Sequence, residues 1–318
     1  MRVFLLGGTG LLGSHLLPLL LERGHNVTVL TRSRSKLEYL ESCGASAIVG
    51  DLLKPNEFMS SLIPHEIVVN IAMPFAFGRM SKSTFNKMRE NTTRFVANAL
   101  AIGEEFKCPT ILTLGTSYKT GPGEVADETW PIERFGITLA GADADAIINR
   151  AIENGQPIIQ MIPGQIYGPG GNFMMMYEMM MSGRFGIFGK GDNYIPRIHV
   201  EDCANAYLLA IEKNPVGEKY IIADDTPCTT REFSEYMAFC GGKPAPRTLP
   251  NFVARLVLGN LLLETLNMNC IVSNAKAKFE LGWDLKYPSY REGLEDVISR
   301  LQDSSLDGEK RTGSKYNS

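Results

Sequence analysis

Glycines near the N-terminus are spaced to cradle a phosphate: Gly7-Gly8-Thr9-Gly10-Leu11-Leu12-Gly13 contains the pattern GxGxxG. Glycine lets the turn close tightly and lets backbone N–H groups approach a pyrophosphate at a helix N-terminus. The pattern alone is weak, but here it lies between an apolar run at 3–6 and a leucine-rich stretch at 11–23, the context it requires. A second chemical signal closes the next β-like run. An acidic residue there would bond the ribose hydroxyls of NAD and repel a 2′-phosphate. The chain has Thr31-Arg32-Ser33-Arg34 instead, with Lys36 close by. A guanidinium matches phosphate through a charge-assisted fork, so NADP is expected and NAD is the less favoured alternative.

The elements that must position these residues are legible as alternation. Runs at 3–6, 27–30, 47–49, 67–71, 111–114 and 158–162 are apolar or β-branched, and helical stretches at 11–23, 83–105 and 137–154 lie between them. Strands alternating with helices predict an α/β fold, a doubly wound parallel sheet of Rossmann type. Ligands of such sheets bind beyond the carboxyl ends of the strands. After Pro163 the pattern loosens into a methionine-rich helix candidate at 173–181, a return to strand and helix at 197–211, a strand at 219–223 and a mostly helical remainder. The expected division is a dinucleotide-binding domain from 1–163 and 196–224, with a smaller substrate cap from 164–195 and 225–303. Residues 304–318 are polar and read as a disordered tail.

Composition sets outer bounds. The 318 residues are 44% hydrophobic and 21% charged, ordinary for a globular chain. A formal charge of −3 gives no electrostatic reason to expect nucleic acid or an anionic membrane. Six scattered cysteines without a CxxC pair, and four scattered histidines, suggest free thiols in a reducing cytoplasm and no metal site. No apolar run reaches the roughly 20 residues a membrane span needs. The nearest, 252–266, carries Arg255, Gly259, Asn260 and Glu264 and reads as a buried helix or a subunit interface.

Further motifs resemble the extended branch of the short-chain dehydrogenase/reductase family, and in order they cover almost the whole chain. Gly50-Asp51-Leu52 is similar to the family's adenine-contacting segment, and Asn70-Ile71-Ala72 to its passage beside the cofactor. Asn91 opens a helix like the family's. Ile166-Tyr167-Gly168-Pro169-Gly170 resembles YGPG, Ile198-His199-Val200-Glu201-Asp202 resembles hVxD, and Leu281-Gly282-Trp283 resembles LGW. The resemblance implies that Asp51, Leu52 and Ala72 touch the cofactor, that Pro163 to Ile166 approach its nicotinamide end, and that His199 is structural. It also implies a homodimer through the helices at 83–105 and 137–154.

One departure limits what this implies about chemistry. The family uses a Ser/Thr, then a Tyr whose hydroxyl exchanges the proton and a Lys four residues on that lowers its pKa. Aligned on Gly121, the Ser/Thr position is Thr116, but the YxxxK block reads Phe135-Gly136-Ile137-Thr138-Leu139. Thr116 is therefore the expected hydrogen-bond partner of a substrate oxygen and Tyr118 the candidate proton donor, with Tyr167 and Lys119 as weaker ones. Three readings stay open: an NADP-dependent oxidoreductase with an atypical site, an epimerase-, dehydratase- or cyclase-like enzyme with no net redox, and a non-catalytic NADP-binding sensor or assembly protein.

The substrate end reads as apolar. The arginine with which nucleotide-sugar relatives hold a pyrophosphate falls on Ile195, although Arg197 stands two residues on. Met73, Phe75, Phe135, Leu139, Tyr167 and Met175 are the candidate substrate contacts, which suits a small hydrophobic molecule.

Overall fold

The computed structural model describes residues 1–74 and 79–313, and the side chains among them except those of Ala254 and 304–313. In chain order the elements begin β1 (Arg2–Leu6), α1 (Leu11–Glu22), β2 (Asn26–Thr31), α2 (Leu37–Ser42), β3 (Ser46–Val49) and β4 (Ile67–Asn70). There follow α3 (Lys82–Phe106), β5 (Thr110–Thr113), α4 (Ala142–Glu153), β6 (Ile158–Pro163), β7 (Gln165–Tyr167), α5 (Gly171–Met181) and β8 (Gly186–Phe188). The chain continues with β9 (Arg197–His199), α6 (Val200–Lys213), β10 (Lys219–Ile222), α7 (Thr230–Cys240) and β11 (Arg247–Leu249). It ends with α8 (Asn251–Leu258), α9 (Asn260–Leu266), α10 (Ala275–Leu281) and α11 (Tyr290–Gly313).

Seven strands form one parallel sheet in the order β10-β6-β5-β4-β1-β2-β3. Parallel strands buried on both faces need near-continuous apolar sequence, and β1 supplies it. Its alternate residues point to opposite faces. Val3 and Leu5 meet Leu12, Leu16 and Leu20 of α1 and Ala204, Leu208 and Ile211 of α6. Phe4 and Leu6 belong to the opposite core, with Val96 and Leu100 of α3 and Ala144 and Ile148 of α4. The doubly wound Rossmann sheet is thus present, with its switch between β1 and β4.

A second group of elements packs into a smaller cluster of its own. β7 pairs with β9 and β8 with β11 as two small parallel sheets. Phe173, Tyr177 and Met180 of α5 pack with Phe233 and Met237 of α7 and Leu294, Val297 and Ile298 of α11.

One expectation needs correction. The stretch 252–266 is not one buried helix: Gly259, at φ +86, separates α8 from α9. Leu263 is buried, but Phe252, Leu256 and Val257 on α8 are exposed. The last helix, α11, has bounds Tyr290–Gly313. Among the described residues no helix is long and apolar enough to cross a membrane.

Candidate functional site

A cleft of about 720 Å³ lies across the carboxyl ends of the strands. The glycine turn forms its floor. Gly7 takes φ +96, and a Cβ there would sit 2.7 Å from the backbone N of Ala72. Gly10 caps α1 without any side-chain hydrogen bond, so the first-turn N–H groups have no side-chain acceptor. Those donors and the positive end of the helix dipole favour an anion. A Cβ on Gly13 would lie 2.4 Å from the carbonyl O of Gly7, so close packing of α1 on this turn requires glycine.

The walls come from successive strand ends. Of the residues expected to hold a cofactor, Gly7, Thr9, Gly10, Leu11, Leu12, Thr31, Arg32, Asp51, Leu52, Ala72, Pro163 and Ile166 all line the cleft. Gly13 acts from behind the turn, and Ser33 stands outside the lining, its N–H donating to the Thr31 hydroxyl at 3.2 Å. Arg32 is exposed and has no ion-pair partner among the described residues. Asp51 accepts from Leu53 N at 2.9 Å, while Arg94 and Asn98 of α3 donate to the carbonyls of Leu53 and Leu52. That loop is therefore fixed to α3. The cradle, the uncapped helix and the length of the cleft fit a dinucleotide.

The expected catalytic residues are placed differently. Thr116 is half-buried and donates its hydroxyl to the Pro163 carbonyl at 2.6 Å, tying the ends of β5 and β6 together outside the cleft lining. Tyr118 is 1% exposed, and its hydroxyl has no partner. It packs in the core with Ala126, Ile195 and Cys270, and burial raises its pKa, so it is a poor source of protons for the cleft. Phe135 and Leu139 do not line the cleft either. Their segment docks on α9, where Ile137 N donates to the Thr265 hydroxyl at 2.9 Å.

The substrate contacts divide as well. Met73 and Tyr167 line the cleft; Met175 is exposed and its neighbour Met176 takes the lining position. Phe75 lies outside the described residues. The Tyr167 hydroxyl is buried against Gly293 of α11, where a Cβ would come within 2.0 Å, and burial raises its pKa. Sequence reasoning missed Phe95, Gly115 and Asn172 in the lining, whereas Gln165 belongs to the 163–166 segment expected beside the nicotinamide, and Arg197 appeared only as a possible substitute. His199 accepts from Glu201 N at the start of α6 and is pushed down to about 4 by burial, in keeping with a structural part.

A model of the NAD dependent epimerase/dehydratase family matches residues 3–223. The chain belongs to that family. As a member it is similar to 3-diazoavenalumate denitrifying reductase of Streptomyces sp, 25% identical over 315 residues, covering 92% of this chain and 99% of that protein. It is also similar to the mouse (Mus musculus) epimerase family protein SDR39U1, 26% identical over 94% of this chain and 100% of that one. The crystal structure of human SDR39U1 (isoform 2) with NADPH superimposes with a TM-score of 0.79 at 22% identity, covering 94% of this chain and 99% of that one. At that identity the likeness shows the shared fold. Relatives of this family member thus include both a reductase and epimerase-family proteins, within the extended, atypical short-chain dehydrogenase/reductase group.

Behind the cap end lies Asp224, 7% exposed. Burial pushes its carboxyl up to about 8, against the pull of Arg197. Between the ordinary value of 3.8 and about 8 the folded chain holds a proton that the unfolded chain has released. The folded state then binds more protons, so this group's contribution falls as pH rises through that window. Asp224→Asn, isosteric with the protonated acid, should melt like the parent below pH ~3.8 and increasingly above the parent as pH rises toward ~8. Parallel melting curves for the two proteins across this range would show that Asp224 ionises freely.

Proposed function

We propose that this chain is an NADP-dependent oxidoreductase with an atypical active site, acting on a small substrate of largely apolar surface. The observation that carries the reading is the continuity of one cleft. Its glycine turn and Arg32 lie in the same cleft as the apolar side chains of Met73, Phe173 and Met176. The reductase among its relatives supports redox chemistry, and the NADPH in the human neighbour supports the cofactor.

When bound, the cofactor supplies or accepts a hydride at its nicotinamide. The chain's own residues do the rest. Arg32 holds the 2′-phosphate, and the first turn of α1 takes the pyrophosphate. Thr116 holds the Pro163 carbonyl and so fixes the strand end from which Gly164 and Gln165 face the cleft. With Phe135 and Leu139 aligned to the tyrosine and lysine of the family, no Tyr-Lys pair serves the proton. Gln165 and Asn172 carry no titrating proton, and burial raises Tyr167. We assign the proton to water, and neither to Tyr118 nor to Thr116. A homodimer through α3 and α4, bridged within one subunit by the bidentate Arg89–Asp143 pair, and a cytoplasmic location belong to the same reading.

Arg32→Asp should weaken NADPH by roughly ten- to hundredfold, as expected for loss of a charge-assisted contact, and leave NADH unchanged or improved. Titration of reduced-nicotinamide fluorescence measures both. Equal weakening of the two cofactors would remove the NADP assignment. A panel of aryl ketones and enones then tests the reaction: NADPH consumed in step with product supports an oxidoreductase. Product without net NADPH loss would select an isomerase or lyase instead.

A further inference from the structure

In the cap half of the cleft one charge lacks the partner that burial demands. Arg197 is 4% exposed, lines the cleft, and pairs in register with Gln165 across β9 and β7. Its Nη1 donates to Gln165 Oε1, its guanidinium lies 3.9 Å from the centre of the Phe233 ring, and the Cys228 thiol is a further neighbour. These contacts orient the side chain without neutralising it. Nε has no hydrogen-bond acceptor, and no carboxylate lies within ion-pair distance of Arg197 among the described residues. Asp224 is the acid nearest in the fold, its backbone N–H donating to the Arg197 carbonyl at 2.8 Å. Its side chain pulls on the guanidinium only from beyond ion-pair distance, and its own Oδ2 is buried without a partner. With burial pushing it up to about 8, it is largely protonated below that pH and so an incomplete counter-charge.

A buried charge without a counter-ion costs several kcal/mol after relaxation. A fold that places one on a cleft wall recovers that cost when a ligand brings the missing negative charge. Guanidinium is suited to this because its planar fork meets the two oxygens of a carboxylate or phosphate together. The neighbouring surface is apolar, through Phe173 and Met176.

We propose that Arg197, oriented by Gln165, is a subsite for an oxyanion on the substrate, carboxylate or phosphate, so that the substrate is an amphiphilic acid with an apolar body. This rests, for its substrate, on reading the cleft as an oxidoreductase site. The subsite differs from a pyrophosphate-binding arginine at position 195, because Ile195 is buried in the core and does not line the cleft.

The test uses the full chain saturated with NADP⁺ and three probes of similar body: cinnamate, phenyl phosphate and neutral cinnamamide. At least one anion should bind roughly tenfold or more tightly than the amide, as expected for one charge-assisted pair. Which anion prefers the site distinguishes carboxylate from phosphate. Arg197→Gln should bring that anion to the amide's affinity and leave cinnamamide and NADP⁺ unchanged, while Arg197→Lys restores part of the preference. Equal binding of all three probes by the parent, or an anion preference that survives in Arg197→Gln, overturns the proposal. Should that variant not fold, parent crystals soaked with NADP⁺ and cinnamate decide: the carboxylate lies against Arg197, or the subsite is wrong. Anion preference without NADPH turnover on any carbonyl panel would sink the oxidoreductase reading and leave the subsite standing. Turnover of neutral substrates without anion preference would do the reverse.

Discussion

Gly13→Val should reduce NADPH affinity by at least about a hundredfold, close to 2.7 kcal/mol. The argument is steric and local. A Cβ at position 13 meets the Gly7 carbonyl O at 2.4 Å and Gly8 Cα at 2.5 Å, both backbone atoms that cannot rotate away. Either α1 lifts from the turn or the turn opens, and both remove the N–H groups from the place a pyrophosphate would take. The branched side chain adds bulk to the same contact. The sheet below is held by β1, β2 and β4 pairing, so cooperative melting should persist. Gly10→Ala provides a graded control, since its Cβ would come no nearer than 3.3 Å to Gly7 O and should cost much less. Cofactor fluorescence titration with a melting curve on each protein measures the effect. A folded Gly13→Val protein that bound NADPH like the parent would mean that the cofactor does not use this turn.

The nucleotide half of the site was legible because its signals are local. Glycine spacing, a preceding strand and a following helix lie within residues 2–22, and Arg32 directly follows the next strand. The cap half was not, because its geometry is set by contacts distant in sequence. Tyr118 stands two residues past Thr116 and so looked accessible. Yet the chain turns inward there, under a segment bridged by Ala126 and Val272 with Ala126 N donating to Ile271 O. Periodicity identified α5 but not its rotation, which puts Met176 in the cleft and Met175 in solvent. Phe95 presented the same problem on α3: Val96 beside it is core, and only the packed helix shows Phe95 turned to the cleft. Arg197 looked like a displaced nucleotide-sugar arginine. Its significance emerges from burial and from the carboxylate that is not there, neither of which a linear pattern records.

Asp202→Ala should unfasten the cap from the sheet, with a loss of roughly 3–5 kcal/mol of stability. Asp202 is 2% exposed, and its two carboxylate oxygens accept from the backbone N–H groups of Lys286 (2.8 Å) and Tyr287 (2.9 Å). Truncation leaves two donors without acceptors in a buried place, each at about 1–3 kcal/mol. The same residue's carbonyl receives Trp283 Nε1 at 3.0 Å, so one short segment at the start of α6 anchors the turn between α10 and α11. This is the physical content of the distant hVxD and LGW resemblances: an aspartate and a tryptophan that meet across the fold. Denaturant unfolding followed by tryptophan emission reads the effect, because Trp283 is fully buried. An unchanged midpoint would show that water replaces the carboxylate without penalty. The two variants should also separate by function. Gly13→Val removes cofactor binding while the Trp283 environment stays native. Asp202→Ala instead loosens the segment after β9, and with it the position of Arg197, while the glycine turn remains formed. Its NADPH affinity should therefore fall far less than its affinity for an anionic probe, and a uniform loss of both would mean that the cap and the nucleotide cradle unfold as one unit.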